Sequence, residues 1–553
     1  MLDFLVQNAY SLAGGIGGDG GGSMKSAPIA RLSYWLLSAV LLLVVVPAIA
    51  QDQQTEPEVS YDIRRDISPP VREMAKHAPP MKRERGKMLE PKSSFVFPPA
   101  PAGEDNSVQE AYLPGVSTHA VLSFEGMTSK QAGGVAPPDT NGAVGNTQFV
   151  EIVNFAFAVY DKTSGKVLLK PTSIDTIWQG FGGLCQNING GDPVVLWDKV
   201  AQRWLVTQLS YNQGFSKDFV CIAVSTSADA TASYNRYAFN FHGQLPDYPK
   251  YGIWPDAYYF SANVNGAQPC AFDRSAIIAG KKAAMICITS NSNYLSFLPS
   301  DMDGTTPPAG APNHYVDMPN SSSNQLAEFD FHVDFANPKK STFTGPNLIT
   351  VPTYFFTCGG TGACIPQPPP GETLEGLSDR LMFRLAYRNF GDHESLLVSQ
   401  VVRPGKQSSA LAAMRWYELR STPIGGKFSL YQAGTFQDPT TSLWMGSIAM
   451  DKLGDIALGM SASSTTLKPG IWYTGRLPTD PLGKMETPVV AVKGTAVQIG
   501  DGQRWGDYSS MSVDPVDDCT FWYSQQYYNK KHGGASSGNW STRITAFRFN
   551  GCQ

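Results

Sequence analysis

Three features of the sequence predict an all-β fold, a seven-bladed β-propeller built of four-stranded blades. Short runs of β-forming residues recur between tight turns. The runs repeat as units of similar length. Gly 53 and Pro 40, with 23 Tyr, 28 Phe and 11 Trp, supply the turns and packing surfaces that many short strands need. The clearest unit is Arg504–Ser524, in which a strand leads to a turn on Asp514-Pro515 and Asp517-Asp518, then to a second strand. Its analogues are Asp192–Asp198 followed by Arg203–Gln208, Lys250–Asp256 followed by Tyr258–Ser261, and Gly446–Asp451 followed by Ile456–Met460.

The 553 residues suffice for a large core, and 42% hydrophobic against 16% charged residues suits a well-packed chain. A formal charge of −4, without a Lys/Arg run interleaved with aromatics in the folded part, excludes a basic nucleic-acid binder.

Residues 1–50 read as a leader and signal peptide. Residues 1–23 are Gly-rich and without pattern. Met24 looks like a true start, because Lys25 and Arg31 precede or open an apolar run, Leu32–Val46, that ends in Ala48-Ile49-Ala50, a small-residue cleavage site before Gln51. The apolar run is short for a spanning helix, so no membrane span is expected after cleavage. Residues 51–118 are Pro-rich and read as a mostly disordered linker or propeptide, in which Lys82–Lys87 is a solvated segment.

Residues 119–553 carry the propeller. Its inner strands are expected to open at Asp139, Asp192, Lys250, about His314, about Arg380, Met445 and Tyr508, a spacing that fills the chain with seven units. Each exceeds the roughly 40–45 residues of a lean blade, and the excess is assigned to loops such as Asp301–Gly310 and Pro366–Glu372. Later strands show as hairpins over 157–169 and 414–431. The last unit has three clear strands, and His119–Phe124 is expected to add the fourth and close the ring, removing exposed edges.

Eight cysteines agree with export to an oxidising compartment. Eight allow 105 pairings. Proximity within units suggests Cys185 with Cys221, Cys270 with Cys287, Cys358 with Cys364, and Cys519 with Cys552. No Cys-x-x-Cys or clustered His spacing points to metal ligation.

Pro137–Gly145, Gly191–Asp198, Asp379–Ser395 and Arg504–Pro515 resemble secreted bacterial β-propeller proteins of uncharacterised function, distantly sialidase-like in their repeats. The resemblance covers about residues 119–553. It implies a fold and a secreted or periplasmic address, without a reaction that transfers residue by residue.

Propellers bind ligands where loops entering the inner strands converge. Asp139, Asp192, Lys250, Arg380, Asp507 and Tyr508 are therefore expected to ring one channel mouth, with Arg504, Trp505 and Trp444 nearby. Carboxylates there accept sugar hydroxyls or hold a cation, so a site or structural calcium ion is compatible, although no cofactor is required. The competing reading is local: Asp before Pro or before a strand commonly caps its own turn.

Glycoside hydrolysis needs two carboxyl groups flanking the scissile bond, and Asp139, Asp192 and Asp507 are the candidates. A sialidase would use Tyr508 as nucleophile with Arg380, Arg384 and Arg504 gripping a carboxylate. The chain lacks an Arg-Ile-Pro motif and a full Ser-x-Asp-x-Gly-x-x-Trp turn, Asp451–Asp455 coming closest. Asp392-His393-Glu394 cannot converge on one ion, because neighbours on an extended chain point to opposite faces. Gly459–Ser463 lacks the second Gly of a nucleophile elbow, and there is no phosphate-cradling Gly loop. The expectation is an exported, monomeric binding module for a glycan or cell-surface protein, with a glycan-cleaving enzyme as the alternative.

Overall fold

Strands form where apolar side chains occupy both faces, because each sheet is covered by a neighbour on either side. Ser442–Met450 and Phe521–Tyr528 are buried along their whole length. The computed structural model describes residues 56–78, 105–212, 214–264, 266–290, 293–405, 411–500, 502–532 and 539–553. The expected signal peptide lies outside the described residues, as do residues 79–104 of the expected linker.

The sheets are mostly antiparallel ladders built on a four-stranded plan, some with an added strand or joined to a neighbour. Asn141–Val144, Gln148–Val153, Ala156–Asp161 and Val167–Ser173 form one; Ser442–Met450 through Val489–Val492 form another. Two five-stranded sheets begin at Val194–Asp198 and Asp247–Ile253. An eight-stranded sheet joins two such ladders through the parallel pairing of Leu298–Gly304 with Leu381–Asn389. The leading strands Asn141–Val144, Val194–Asp198, Asp247–Ile253, Leu298–Gly304, Leu381–Asn389, Ser442–Met450 and Ser510–Val513 each lie beside the next, and the last lies beside the first. That cyclic order is a β-propeller.

Thr118–Thr128 pairs with Trp540–Phe549, from Thr118 opposite Phe549 to Thr128 opposite Ser541, and so supplies the outer strand of the sheet that begins at Ser510. The junction is fastened from inside. The buried Glu151 carboxylate, on the first sheet, accepts hydrogen bonds from the Met127 amide and the Ser524 hydroxyl, each at 2.9 Å. The disulfides are Cys185–Cys221, Cys270–Cys287, Cys358–Cys364 and Cys519–Cys552, the pairing that sequence proximity suggests.

Two expectations need correction. Part of the segment read as disordered linker is ordered: Glu58–Tyr61 pairs with Ala284–Cys287, and Arg64–Ile67 pairs with Asn235–Ala238, giving two neighbouring sheets a fifth strand. Their burial is low, so backbone pairing and the Arg236–Asp66 ion pair hold the arm, signals that composition does not carry. His314 does not open an inner strand. Leu298–Gly304 does, drawing on residues expected in a loop, and His314 lies on the second strand, Asn313–Asp317. Apolar content at Leu298 and Met302 is sparse, and the parallel partner Leu381–Asn389 supplies what the local pattern lacks.

Among the described residues, no helix is long and apolar enough to cross a membrane.

Candidate functional site

The chain enters the inner strands in an unusual backbone conformation. Asp139, Asp192, Tyr248 and Met445 have φ of 48°, 49°, 56° and 50°, in the left-handed region that disfavours side chains. Asp tolerates it better than most residues; Tyr248 and Met445 are held there by their surroundings. Asp139 and Asp192 each precede a leading strand by two residues, whereas Tyr248 and Met445 lie within theirs.

Asp139 and Asp192 are bridged by Asn154. The Asn154 amide donates to Asp139 Oδ2 at 2.7 Å, while its carbonyl oxygen accepts the Asp192 backbone N–H at 3.0 Å. Asp139 Oδ1 accepts the Asp507 N–H at 2.9 Å. Asp139 therefore serves a loop from the far end of the chain rather than its own turn. Asp507 also accepts from Arg504 at 2.7 Å, and Arg504 reaches Glu375 at 2.9 Å. Glu375 sits on a two-stranded insertion, Ala363–Ile365 with Leu374–Glu375, beside the Cys358–Cys364 disulfide.

Lys250 is fully buried, with its ammonium 3.3 Å from the Tyr248 ring centre and 4.4 Å from that of Tyr508. Arg380 lies over Tyr248 at 4.3 Å and makes a two-pronged pair with Asp379, at 2.8 and 3.0 Å. Tyr508 stands 6.3 Å from Tyr248 and 6.2 Å from Phe383, so rings from different sheets meet at the axis. Farther along, Arg384 donates to the Met511 carbonyl at 3.1 Å and pairs with Asp301 and Asp303. The axis is packed at these levels, and Arg384 is committed there rather than to the mouth.

Burial and crowding set the charges. Burial, then the neighbouring Asp507 charge, raises Asp139 to about 7. Burial, then the charges of Asp247, Asp139 and Asp507, holds Asp192 well above the carboxylate range. Burial lowers Lys250 to about 8 against the opposing pull of Asp192 and Asp507. At this buried floor both Asp139 oxygens accept N–H bonds, from Asn154 and from Asp507. Above it, Asp507, Arg504 and Arg380 are partly exposed, at 15%, 17% and 13% of their side chains.

No family model matches the chain, and no curated protein matches it in sequence. Among solved structures, Drosophila Semaphorin 1b aligns over 78% of this chain and 87% of its own, at 8% identity and a TM-score of 0.35. The phage phi92 endosialidase aligns over 75% and 67%, at 9% identity and 0.30. An exo-β-1,3-galactanase from Clostridium thermocellum aligns over 77% and 99%, at 8% identity and 0.30. Likeness of this degree carries no argument about the site.

The structure brings together Asp139, Asp192, Lys250, Arg380, Arg504, Asp507 and Tyr508. It does not bring Trp444 and Trp505 to the surface of the mouth. Both are fully buried, 5.2 Å apart, and the Trp505 indole N–H donates to Ser461 at 3.2 Å. These rings fill the space between sheets, so they offer no face to a sugar. Asn154, Asp247, Tyr248, Glu375 and Asp379 were not singled out from the sequence; Asp247-Tyr248 directly preceding Pro249-Lys250 was the available signal. Asp392, His393 and Glu394 diverge: His393 contacts Asp392 at 2.7 Å, while Glu394 turns inward to the Tyr387 hydroxyl at 2.7 Å. Among the described residues, three ligand atoms of His, Cys, Asp or Glu gather within 4.8 Å only at His314, Glu328 and Asp330, away from the mouth residues.

Proposed function

We propose that this protein is an exported seven-bladed β-propeller acting as a monomeric binding module, with a glycan or the glycosylated face of a surface protein as ligand. The count of seven treats the eight-stranded sheet as two blades joined through Ser300–Gly304 and Leu385–Asn389. Residues 119–553 supply the blades, and the preceding segment adds the edge strands Glu58–Tyr61 and Arg64–Ile67 to two of them. Four disulfides support an oxidising compartment outside the cytoplasm.

The observation that carries the reading is the partly exposed Asp507–Arg504 pair and Arg380, the latter held by buried Asp379, beside buried Asp139, Asp192 and Lys250. Sugar hydroxyls both donate and accept, and this surface presents both functions in fixed geometry. The Tyr248 and Tyr508 rings are covered by Lys250 and Arg380, so hydrogen bonding rather than ring stacking does the gripping.

A glycoside hydrolase at the same mouth is the second reading, favoured by one observation: Asp139, Asp192 and Asp507 lie close enough that, on top of burial, the Asp507 charge raises Asp139 and the charges of both raise Asp192. A glycan array probed with the wild type and with Asp507→Asn tests binding, and a reducing-end assay on the bound glycans separates the readings. Absence of any glycan lost on substitution of Asp507 would reject both.

A further inference from the structure

We propose that His314, Glu328 and Asp330 form a binding site for one divalent transition-metal ion of the zinc class, separate from the channel mouth. His314 stands on Asn313–Asp317, directly opposite Asp330 on the neighbouring strand Gln325–His332. The ladder on the other side of that strand slips between Glu328 and Asp330. Glu328 and Asp330 stand two residues apart on one strand, so their side chains share a face, and here both carboxylates meet the same imidazole nitrogen. His314 Nδ1 is 2.7 Å from Asp330 Oδ1 and 3.2 Å from Glu328 Oε1, and one ligand atom from each residue lies within 4.8 Å of the others.

The spacing fits a small coordination shell. Zinc binds imidazole and carboxylate at about 2.0–2.2 Å, which separates neighbouring donors of a tetrahedral shell by roughly 3.4 Å. The Nδ1–Glu328 separation of 3.2 Å is near that distance, the Nδ1–Asp330 separation of 2.7 Å needs to open, and an ion would take the place of the hydrogen bonds between ring and carboxylates. Calcium is disfavoured, because it takes six to eight oxygen ligands and this set offers a nitrogen and two carboxylates.

The surroundings are those of a supported ligand set. Asn347 donates to Glu328 Oε2 at 3.2 Å and to the Phe428 carbonyl at 2.9 Å, fixing the carboxylate from behind. The His314 ring is wedged by Phe428, with ring centres 4.7 Å apart, and by Trp254 and Tyr387. His314 and Glu328 are buried, whereas 44% of the Asp330 side chain is exposed, so an ion enters past Asp330 and water completes its shell. A purely structural ion-paired triad is the rival explanation, and metal affinity distinguishes the two.

The test uses the full chain, stripped with a chelator, then titrated with zinc chloride by calorimetry and with cobalt(II) by visible absorption. The expected result is one equivalent bound, with tetrahedral-type cobalt bands. Asp330→Asn should weaken zinc binding by about tenfold or more and abolish those bands, while His242→Ala, at an exposed histidine elsewhere, leaves both unchanged. The half-exposed position of Asp330 makes Asp330→Asn the fold-sparing variant, and its metal-free thermal midpoint checks that; His314→Gln is the second variant. No saturable binding, or equal affinity in wild type and Asp330→Asn, overturns the proposal and leaves an ion-paired triad.

Discussion

The Asp507 backbone N–H donates to Asp139 Oδ1 at 2.9 Å across 368 residues of sequence. One carboxylate thereby couples the last leading strand to the first at the place where both begin. The bond also sets the backbone that carries Asp507 and Tyr508, so ring closure and mouth geometry are one arrangement. Replacing Asp139 by Ala strands the Asp507 N–H and the Asn154 amide, and leaving buried donors unsatisfied costs about 1–3 kcal/mol each. Asp139→Asn keeps an acceptor oxygen and costs less. Urea unfolding of the two variants should show a clear gap; equal losses would mean that the carboxylate does not fasten the loops.

At the mouth, Asp507→Asn and Asp192→Asn separate the two functional readings. A binding module loses affinity with Asp507→Asn, by about tenfold for one charge-assisted hydrogen bond worth roughly 1.5 kcal/mol or more. A hydrolase loses turnover with Asp192→Asn or Asp507→Asn while glycan binding largely survives. Titration calorimetry and a reducing-end assay on the same glycan check both. Loss of neither affinity nor turnover in Asp507→Asn would remove the mouth from the function.

Glu151 predicts a pH dependence of stability. Burial raises its carboxyl to about 7 against the hydrogen bonds from Thr542, Ser524 and Met127 that favour the charged form. An unfolded glutamate titrates near about 4.3. Between these values the folded chain binds more protons than the unfolded one, so this contribution is present below about 4.3 and is lost as pH rises through about 7. Asp139 adds in the same direction. Glu151→Gln should flatten the fall in urea midpoint between pH 5 and 8; an unchanged slope would contradict the raised carboxyl.

The propeller was legible because its repeats are written in local chemistry. Asp-Pro and Gly-Asp turns, strands of apolar residues and cysteines paired within a unit recur at similar spacing, and local signals of this kind survive without knowledge of partners. What escaped notice depends on partners. Leu298–Gly304 is a strand because Leu381–Asn389 lies parallel beside it. The arm strands Glu58–Tyr61 and Arg64–Ile67 form on edges that the propeller provides. At the site, Asp139, Asp192, Lys250, Arg380 and Tyr508 could be aligned because each lies near the opening of a leading strand. Trp444 and Trp505 obeyed the same alignment, but their size and apolarity took them inward, into the buried core. Glu375 arrives on the only separate two-stranded sheet among the described residues, and Asp379 follows it just before Leu381–Asn389. His314, Glu328 and Asp330 meet through a register that only the paired strands reveal.

The buried tryptophan pair predicts a loss of stability without a loss of recognition. Truncating a fully buried Trp typically costs about 3–5 kcal/mol. Trp444→Ala should therefore lower the thermal midpoint sharply while the folded fraction binds ligand with unchanged affinity, as Trp444 faces the core and its neighbour Trp505. Thermal unfolding alongside calorimetry at low temperature checks this. A selective loss of affinity in a stable Trp444→Ala protein would return the ring to the mouth.

The seam between Thr118–Thr128 and Trp540–Phe549 joins segments far apart in the chain within one sheet. Cys519–Cys552, spanning 33 residues, pins the chain end beside the turn that precedes Phe521–Tyr528. A loop of that length stabilises by about 3–4 kcal/mol in the chain-entropy account. Ring closure magnifies the local effect, because release of the seam exposes two strand edges and frees the Met127 amide from Glu151. Cys519→Ser with Cys552→Ser should lower the thermal midpoint, and limited proteolysis should cut near Thr118–Thr128 before any other sheet. Breaking Cys358–Cys364, which closes only a short insertion with a separation of 6 residues, should leave the seam protected. If both double variants are cleaved at the same sites and rates as the wild type, the chain ends do not hold the ring shut.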